Sequence, residues 1–348
     1  MPVSPLHNQS YFDFQFYLDS LTRYQGSWGE VAQQFVRFYQ SPFDAPVIPL
    51  ISGPVFPVVM GVFQYGPGNF LPLAVFYLLV SIGLTAAWLI WLSNKGVSAP
   101  WLIVFALIPN PIWCTLVISP DLLFAALFAV FFLLYFECRP SVAQTTGWVL
   151  VLAIMLLLRP NGFSLLLFVA AHAGWTMIQS RQFDFRRSTL VGILLLVFGL
   201  YLYPYFLNEM QKAGGVLSYF GNTPSEYIAG IFPALPGWVD RPVSWVALVV
   251  AKLVYFVGLR PSYGVTDMFF VLARGGAGVI LLPGLFYLFW AGRRREMALI
   301  ALYCLPILLG PAQDRYYLPI YPILFLYGVM AYQAAWRAVS SNQKTQPT

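Results

Sequence analysis

FLPLAVFYLLVSIGLTAAWLIWL, residues 70–92, is 23 residues long without a charged side chain. A helix rises 1.5 Å per residue, so this run is long enough to cross the ~30 Å hydrocarbon core of a bilayer. Similar runs recur at 100–117, 121–136, 147–158, 162–178, 189–207, 275–290, 297–310 and 316–336. Several fall short of the ~20 residues of a full crossing, which predicts kinked or shallow helices. Of the 348 residues, 59% are hydrophobic, 18% aromatic and 9% charged, far from the roughly 25% charged residues of a soluble globular chain. A membrane β-barrel would show short alternating strands instead. The expected fold is therefore all-α: a polytopic helical membrane protein with about nine spans and interfacial helices on its outer face.

The chain reads as a single membrane domain, 1–348, in four stretches. Residues 1–69 form an outer-face opening segment, 70–207 the first six spans, 208–266 an outer loop with an interfacial helix, and 267–348 the last three spans and a cytoplasmic tail. Within the opening segment, Pro49, Gly53, Pro54 and Pro57 break an apolar run and predict a bent approach to the first span. Residues 243–259 are apolar enough to cross but carry Lys252 in their middle, and charge decides their placement. If they lie along the outer interface, Lys95, Arg139, Arg181, Arg186, Arg187, Arg293, Arg294, Arg295, Arg337 and Lys344 share one side with only Glu137, Asp184 and Glu296. The other side then holds nine basic and ten acidic residues. Positive loops stay cytoplasmic, so the carboxyl end is placed inside and the amino end outside. Residues 1–10 lack the charged start and apolar core of an export signal, and a further span upstream of Met1 is the expected explanation for an outside amino end.

Several function classes receive no support. The net charge of +6 is scattered among apolar segments rather than gathered on a polar face, which argues against nucleic-acid binding. Cys114, Cys138 and Cys304 match no zinc or redox spacing and read as packing residues. His172 sits in an apolar helix and reads as packed, and with His7 it forms no metal cluster. Gly275-Gly276-Ala277-Gly278 lacks the context of a nucleotide loop and reads as a place for close helix contact. No phosphate-binding loop with its lysine is present, so ATP-driven transport is unsupported.

The polar residues that remain are the candidates. SYFDFQFYLDSLTRY, residues 10–24, gathers carboxylates and rings ahead of the apolar chain. Asp13 and Tyr17 share a helical face, and an outward carboxylate there suits a general base; an ordinary solvated aspartate is the alternative. Asp121 follows Ser119-Pro120 and opens an apolar helix, where a role in starting the helix is preferred over catalysis. Arg159, in Arg159-Pro160-Asn161-Gly162, is an arginine at an outer joint, suited either to a lipid phosphate or to capping and snorkelling. Arg315, beside Tyr316 at the outer mouth of the last span, is suited to an anionic leaving group, with Asp314 as its alternative partner.

Taken in order, Asp13 to Tyr17, Gly53-Pro54-Val55-Phe56-Pro57, Ser119-Pro120-Asp121, Leu158-Arg159-Pro160 and Arg315-Tyr316-Tyr317-Leu318-Pro319 resemble motifs of the GT-C superfamily of membrane glycosyltransferases. The likeness is to the polyprenyl-phosphate-sugar users related to protein O-mannosyltransferases and the lipid A aminoarabinose transferase. It implies an inverting transfer at the outer face of a bacterial inner membrane. Asp13 would act as base, while Tyr17, Asp121, Arg159, Arg315 and Tyr316 would bind substrate. The donor would be a polyprenyl-phosphate-linked sugar and the acceptor a lipid, glycan or protein. Phe14 stands where relatives often carry a second acidic residue, and Ser52-Gly53 where some carry a Glu-Lys pair, so a divalent metal is left without support. The alternative function is a non-catalytic glycolipid-binding protein or flippase.

Overall fold

The computed structural model of the protein describes residues 55, 56, 59, 71–108, 120–159, 162–180, 189, 192, 193, 196, 200, 250, 253, 268–309 and 314–344. Among them every regular element is helical and none is a strand. In chain order these are α1 (Leu71–Asn94), α2 (Ala99–Leu107), α3 (Pro120–Phe132) with a π-helical turn (Leu133–Glu137), α4 (Val142–Leu158) and α5 (Gly162–Ser180). Then follow α6 (Met268–Trp290), α7 (Arg294–Leu309), a 3₁₀ turn (Asp314–Tyr317) and α8 (Tyr321–Lys344). Three helices, Leu71–Asn94, Pro120–Glu137 and Gly162–Gln179, are long and apolar enough to cross a membrane. Val142–Leu158 and Gly275–Trp290 are shorter apolar helices, and the set is compatible with a membrane protein.

Local chemistry sets the joints. Gly96, at φ 81°, ends α1: its N–H donates to Ser93 O at 2.9 Å and the Val97 N–H reaches back to Leu92 O at 3.1 Å. This is a glycine-closed helix end, and it leads directly into Pro100 near the start of α2. The Ser141 hydroxyl accepts from the Gln144 N–H at 3.1 Å, which starts α4 five residues before the expected Gly147 and takes Gln144, Thr145 and Thr146 into the helix. Gly292, at φ 64°, makes the tight reversal between α6 and α7.

The boundaries differ from the expected spans elsewhere too. α2 ends at Leu107, and 109–119 lie outside the described residues. The last helix starts at Tyr321 rather than Tyr316, because Tyr316 belongs to a 3₁₀ turn followed by Pro319, and it runs on to Lys344. α6 begins seven residues before Gly275 and tolerates Pro283 in its interior. Residues 189, 192, 193, 196 and 200 are helical, and the rest of 189–207 lies outside the described residues. So do 1–54, 208–249 and most of 243–259, where the opening segment and the flat interfacial run were expected.

Packing centres on α8. Residues 317–318 and 320–329 are all buried, an apolar surface right round the helix, as expected of an element surrounded by protein. α6 lies along α8 at backbone contact distance. A Cβ on Gly284 would run into the Leu324 carbonyl oxygen and come within 2.8 Å of the Gly328 nitrogen, and one on Gly328 would run into the Ile280 carbonyl. Within the expected Gly275-Gly276-Ala277-Gly278, Ala277 is fully buried while Gly276 has open space around it, and the backbone approach at Gly284 lies about two turns further on. α2 meets α8 through Phe105, stacked 4.9 Å from the Tyr321 ring, and Trp101, stacked 5.8 Å from Tyr332. α3 packs between α1 and α4, and α5 against α4 and α7.

Short joints make successive helices run in opposite directions, and this sorts the charges. Lys95, Glu137, Arg139, Arg293, Arg294, Arg295 and Glu296 sit at one end of the bundle, towards which the Arg337 and Lys344 end of α8 also points. Asp121, Arg159 and the 3₁₀ turn sit at the other, some 25 Å away along α3 at 1.5 Å per residue.

Candidate functional site

Asp121 is the second residue of α3, and Arg159 is the first residue after α4. The two helices are an antiparallel hairpin of nearly equal arms, so the start of one returns beside the end of the other. The Arg159 guanidinium donates through Nη1 to Asp121 Oδ1 in an ion pair whose side chains are each 5% exposed. Asp121 also lies in the first turn of α3, where the helix dipole favours a carboxylate. In a low-dielectric setting each charge is stabilised by the other, and removing either alone takes away a buried counterion.

The arginine is fixed by its backbone as well. Arg159 adopts an extended conformation (φ −153°, ψ 146°), and its N–H donates to Met155 O at 3.0 Å, closing α4. Its own carbonyl accepts from the Gly162 N–H at 3.0 Å, so the chain turns into α5 within three residues. Gly162 is required by this geometry. A Cβ there would stand 2.9 Å from the carbonyl carbon and oxygen of Met155 and from the Leu156 nitrogen. Backbone against backbone leaves nothing that can rotate away.

Tyr316 closes the third side. Its ring lies 5.1 Å from the Arg159 guanidinium carbon, a cation–π contact that adds about 0.5–2 kcal/mol depending on desolvation. Tyr303 of α7 holds this turn in place, its hydroxyl donating to the Tyr316 carbonyl at 2.8 Å. The Tyr303 ring is itself wedged between Phe124, at 6.3 Å, and Phe128, at 5.9 Å, on α3. Four separate pieces of chain therefore determine where one guanidinium points. Ser164, in the first turn of α5, is also buried at this end.

Of the residues singled out from the sequence, Asp121, Arg159 and Tyr316 are brought together. Arg315 precedes Tyr316 in the 3₁₀ turn, and its side chain lies outside the described residues. Asp13 and Tyr17 also lie outside them. The pairing of Asp121 with Arg159 had a signal in the sequence, since both flank apolar runs at the same end of a helical hairpin. Tyr303 had none: a tyrosine inside an apolar helix gives no sign that its hydroxyl spans to a carbonyl 13 residues on. His172 is packed as expected, its ring stacked 5.8 Å from Phe168 and its Nδ1 2.6 Å from the Tyr135 hydroxyl. No group of three or more His, Cys, Asp or Glu that could hold a metal ion occurs among the described residues.

Chemically, the arrangement presents an oriented guanidinium whose charge is balanced by a carboxylate and whose face is covered by an aromatic ring. A guanidinium offers only donors and stays charged, so its chemistry is the holding of negative charge, here that of Asp121, and not proton transfer. No family model, curated protein or solved structure matches the chain.

Proposed function

We propose that the protein is an inverting glycosyltransferase of the GT-C type, with about nine spans, that moves a sugar from a polyprenyl-phosphate donor to an acceptor at the outer face of a bacterial inner membrane. The observation that carries this reading is the convergence of Asp121, Arg159 and Tyr316 at the bundle end opposite the cluster of basic residues. An arginine on the less basic side of a helical bundle requires compensation, and the ion pair with Asp121 supplies it.

In this reading Asp13 removes the proton from an acceptor hydroxyl or amine. The acceptor attacks the anomeric carbon opposite the phosphate, the bond from that carbon to the phosphate oxygen breaks, and polyprenyl phosphate departs with inversion. Arg159 and Arg315 stabilise the leaving phosphate, where negative charge grows in the transition state. Tyr316 and Asp121 hold the Arg159 fork, and Tyr17, four residues after Asp13 in the sequence, is assigned to substrate binding.

The test is turnover. Purified protein in lipid nanodiscs is supplied with polyprenyl-phosphate sugars and a panel of lipid, glycan and protein acceptors, and release of polyprenyl phosphate is followed together with sugar transfer. The expected outcome is transfer by the parent and a loss of at least about a hundredfold in Asp13→Asn. Donor binding or translocation without any transfer would favour a glycolipid-binding protein or flippase instead.

A further inference from the structure

The opposite end of the bundle has a chemistry that the proposed transfer does not use. Arg139, Arg293, Arg294 and Arg295 are exposed there. The carboxylates near them are already engaged. Glu137 accepts from Lys95 at 2.8 Å and from the Trp91 indole at 3.1 Å, and Glu296 accepts from the Tyr327 hydroxyl at 3.3 Å. Among the described residues the two ion pairs are Lys95–Glu137 and Arg159–Asp121, and neither involves these four arginines. Three of the four open α7, where the helix dipole opposes cations and favours an anion.

Arg295 is oriented. Its guanidinium carbon stands 4.9 Å from the Phe136 ring, on the π-helical turn that leads to Arg139 three residues later. Directly before the arginines, the last turns of α6 present Phe286, Phe289 and Trp290 at 71%, 73% and 81% exposure. A band in which cations outnumber carboxylates, above exposed aromatic surface, matches a bilayer interface, where phosphates lie over acyl chains.

We infer that this end binds the headgroup of an acidic phospholipid, with its phosphate against Arg293, Arg294, Arg295 and Arg139 and its chains along Phe286, Phe289 and Trp290. The partner is acidic rather than zwitterionic because a zwitterionic headgroup has no net charge and brings an ammonium group into a field where Lys95, Arg139, Arg293, Arg294 and Arg295 outnumber Glu137 and Glu296. An acidic soluble protein would meet the cations but would leave the Trp290 and Phe289 faces unmatched.

The experiment uses the full chain in nanodiscs of phosphatidylcholine containing about one-third phosphatidylglycerol, with lipids retained after mild detergent extraction counted by mass spectrometry. Nanodiscs are open on both sides, so the direction of insertion does not enter. The parent is expected to retain phosphatidylglycerol over phosphatidylcholine. R293Q/R294Q/R295Q should lose about fivefold per arginine, or roughly a hundredfold in all, with the triple lysine variant keeping most of the preference. Helicity and elution profile show whether the glutamine variant is folded; if it is not, the lipid preference of the parent decides alone. Equal retention of the two lipids by the parent, or an undiminished preference in a folded glutamine variant, overturns the inference.

Discussion

Asp121 and Arg159, 38 residues apart in the chain, form a buried ion pair that joins the start of α3 to the end of α4. One contact thereby closes a helical hairpin and fixes the guanidinium that the Tyr316 ring covers.

The pair is expected to respond asymmetrically to substitution. Asp121→Asn or Arg159→Met alone removes the buried counterion seen across this pair and should destabilise by about 3–5 kcal/mol, whereas the double variant should lose less than either single change. Thermal unfolding in detergent across the four proteins measures this. Additive losses would mean that the two side chains act independently.

Lys95 and Glu137 offer the contrast, since their pair is 38% and 31% exposed. Lys95→Met should cost no more than about 1 kcal/mol under the same conditions, and less in high salt. A loss as large as that of Asp121→Asn would show that exposure is a poor guide to the strength of ion pairs here.

Glycine substitutions should separate by position. Gly162→Ala and Gly328→Ala each push a methyl group into a backbone carbonyl and should lower stability by about 1–3 kcal/mol or more. Gly174→Ala, inside α5 with nothing within 4 Å, should be neutral or stabilise by up to about 1 kcal/mol. Equal midpoints for all three variants would contradict the close approaches described above.

Removing only the hydroxyl of Tyr303 tests the strut behind Tyr316. Tyr303→Phe keeps the rings against Phe124 and Phe128 and should cost about 1 kcal/mol for the lost hydrogen bond. If donor binding depends on Arg159, the same variant should also weaken the apparent affinity for donor more than it slows turnover. A variant with parental stability and parental affinity would remove Tyr303 from the account.

The arrangement of sides is open to labelling. In a background with Cys114, Cys138 and Cys304 replaced, cysteines introduced at Ser10, Asn222 and Gln313 should react with an impermeant reagent from outside, and one at Gln343 should not. Reaction of Asn222 and Gln313 from opposite sides would mean that 243–259 crosses the membrane, and the proposed site would not assemble.

Helices and their charges were legible without coordinates, because both depend on short-range rules. Uncharged runs such as 70–92 can bury their peptide groups only as helices, and alternation then sends Lys95, Arg139 and Arg293 to one end and Asp121 and Arg159 to the other. Where Gly96 and Ser141 act as caps the joints follow from local chemistry too, although Ser141 started α4 earlier than apolarity alone indicated. Tertiary structure decided what apolarity and spacing do not encode. That Arg159 is held by Asp121, that Tyr303 supports the turn covering it, and that α6 and α8 touch at Gly284 and Gly328 rather than at Gly276 all depend on the rotation of one helix against another. Helices that are apolar nearly all round carry little sequence signal for that rotation; side-chain size and single hydrogen bonds across the packed interface set it instead.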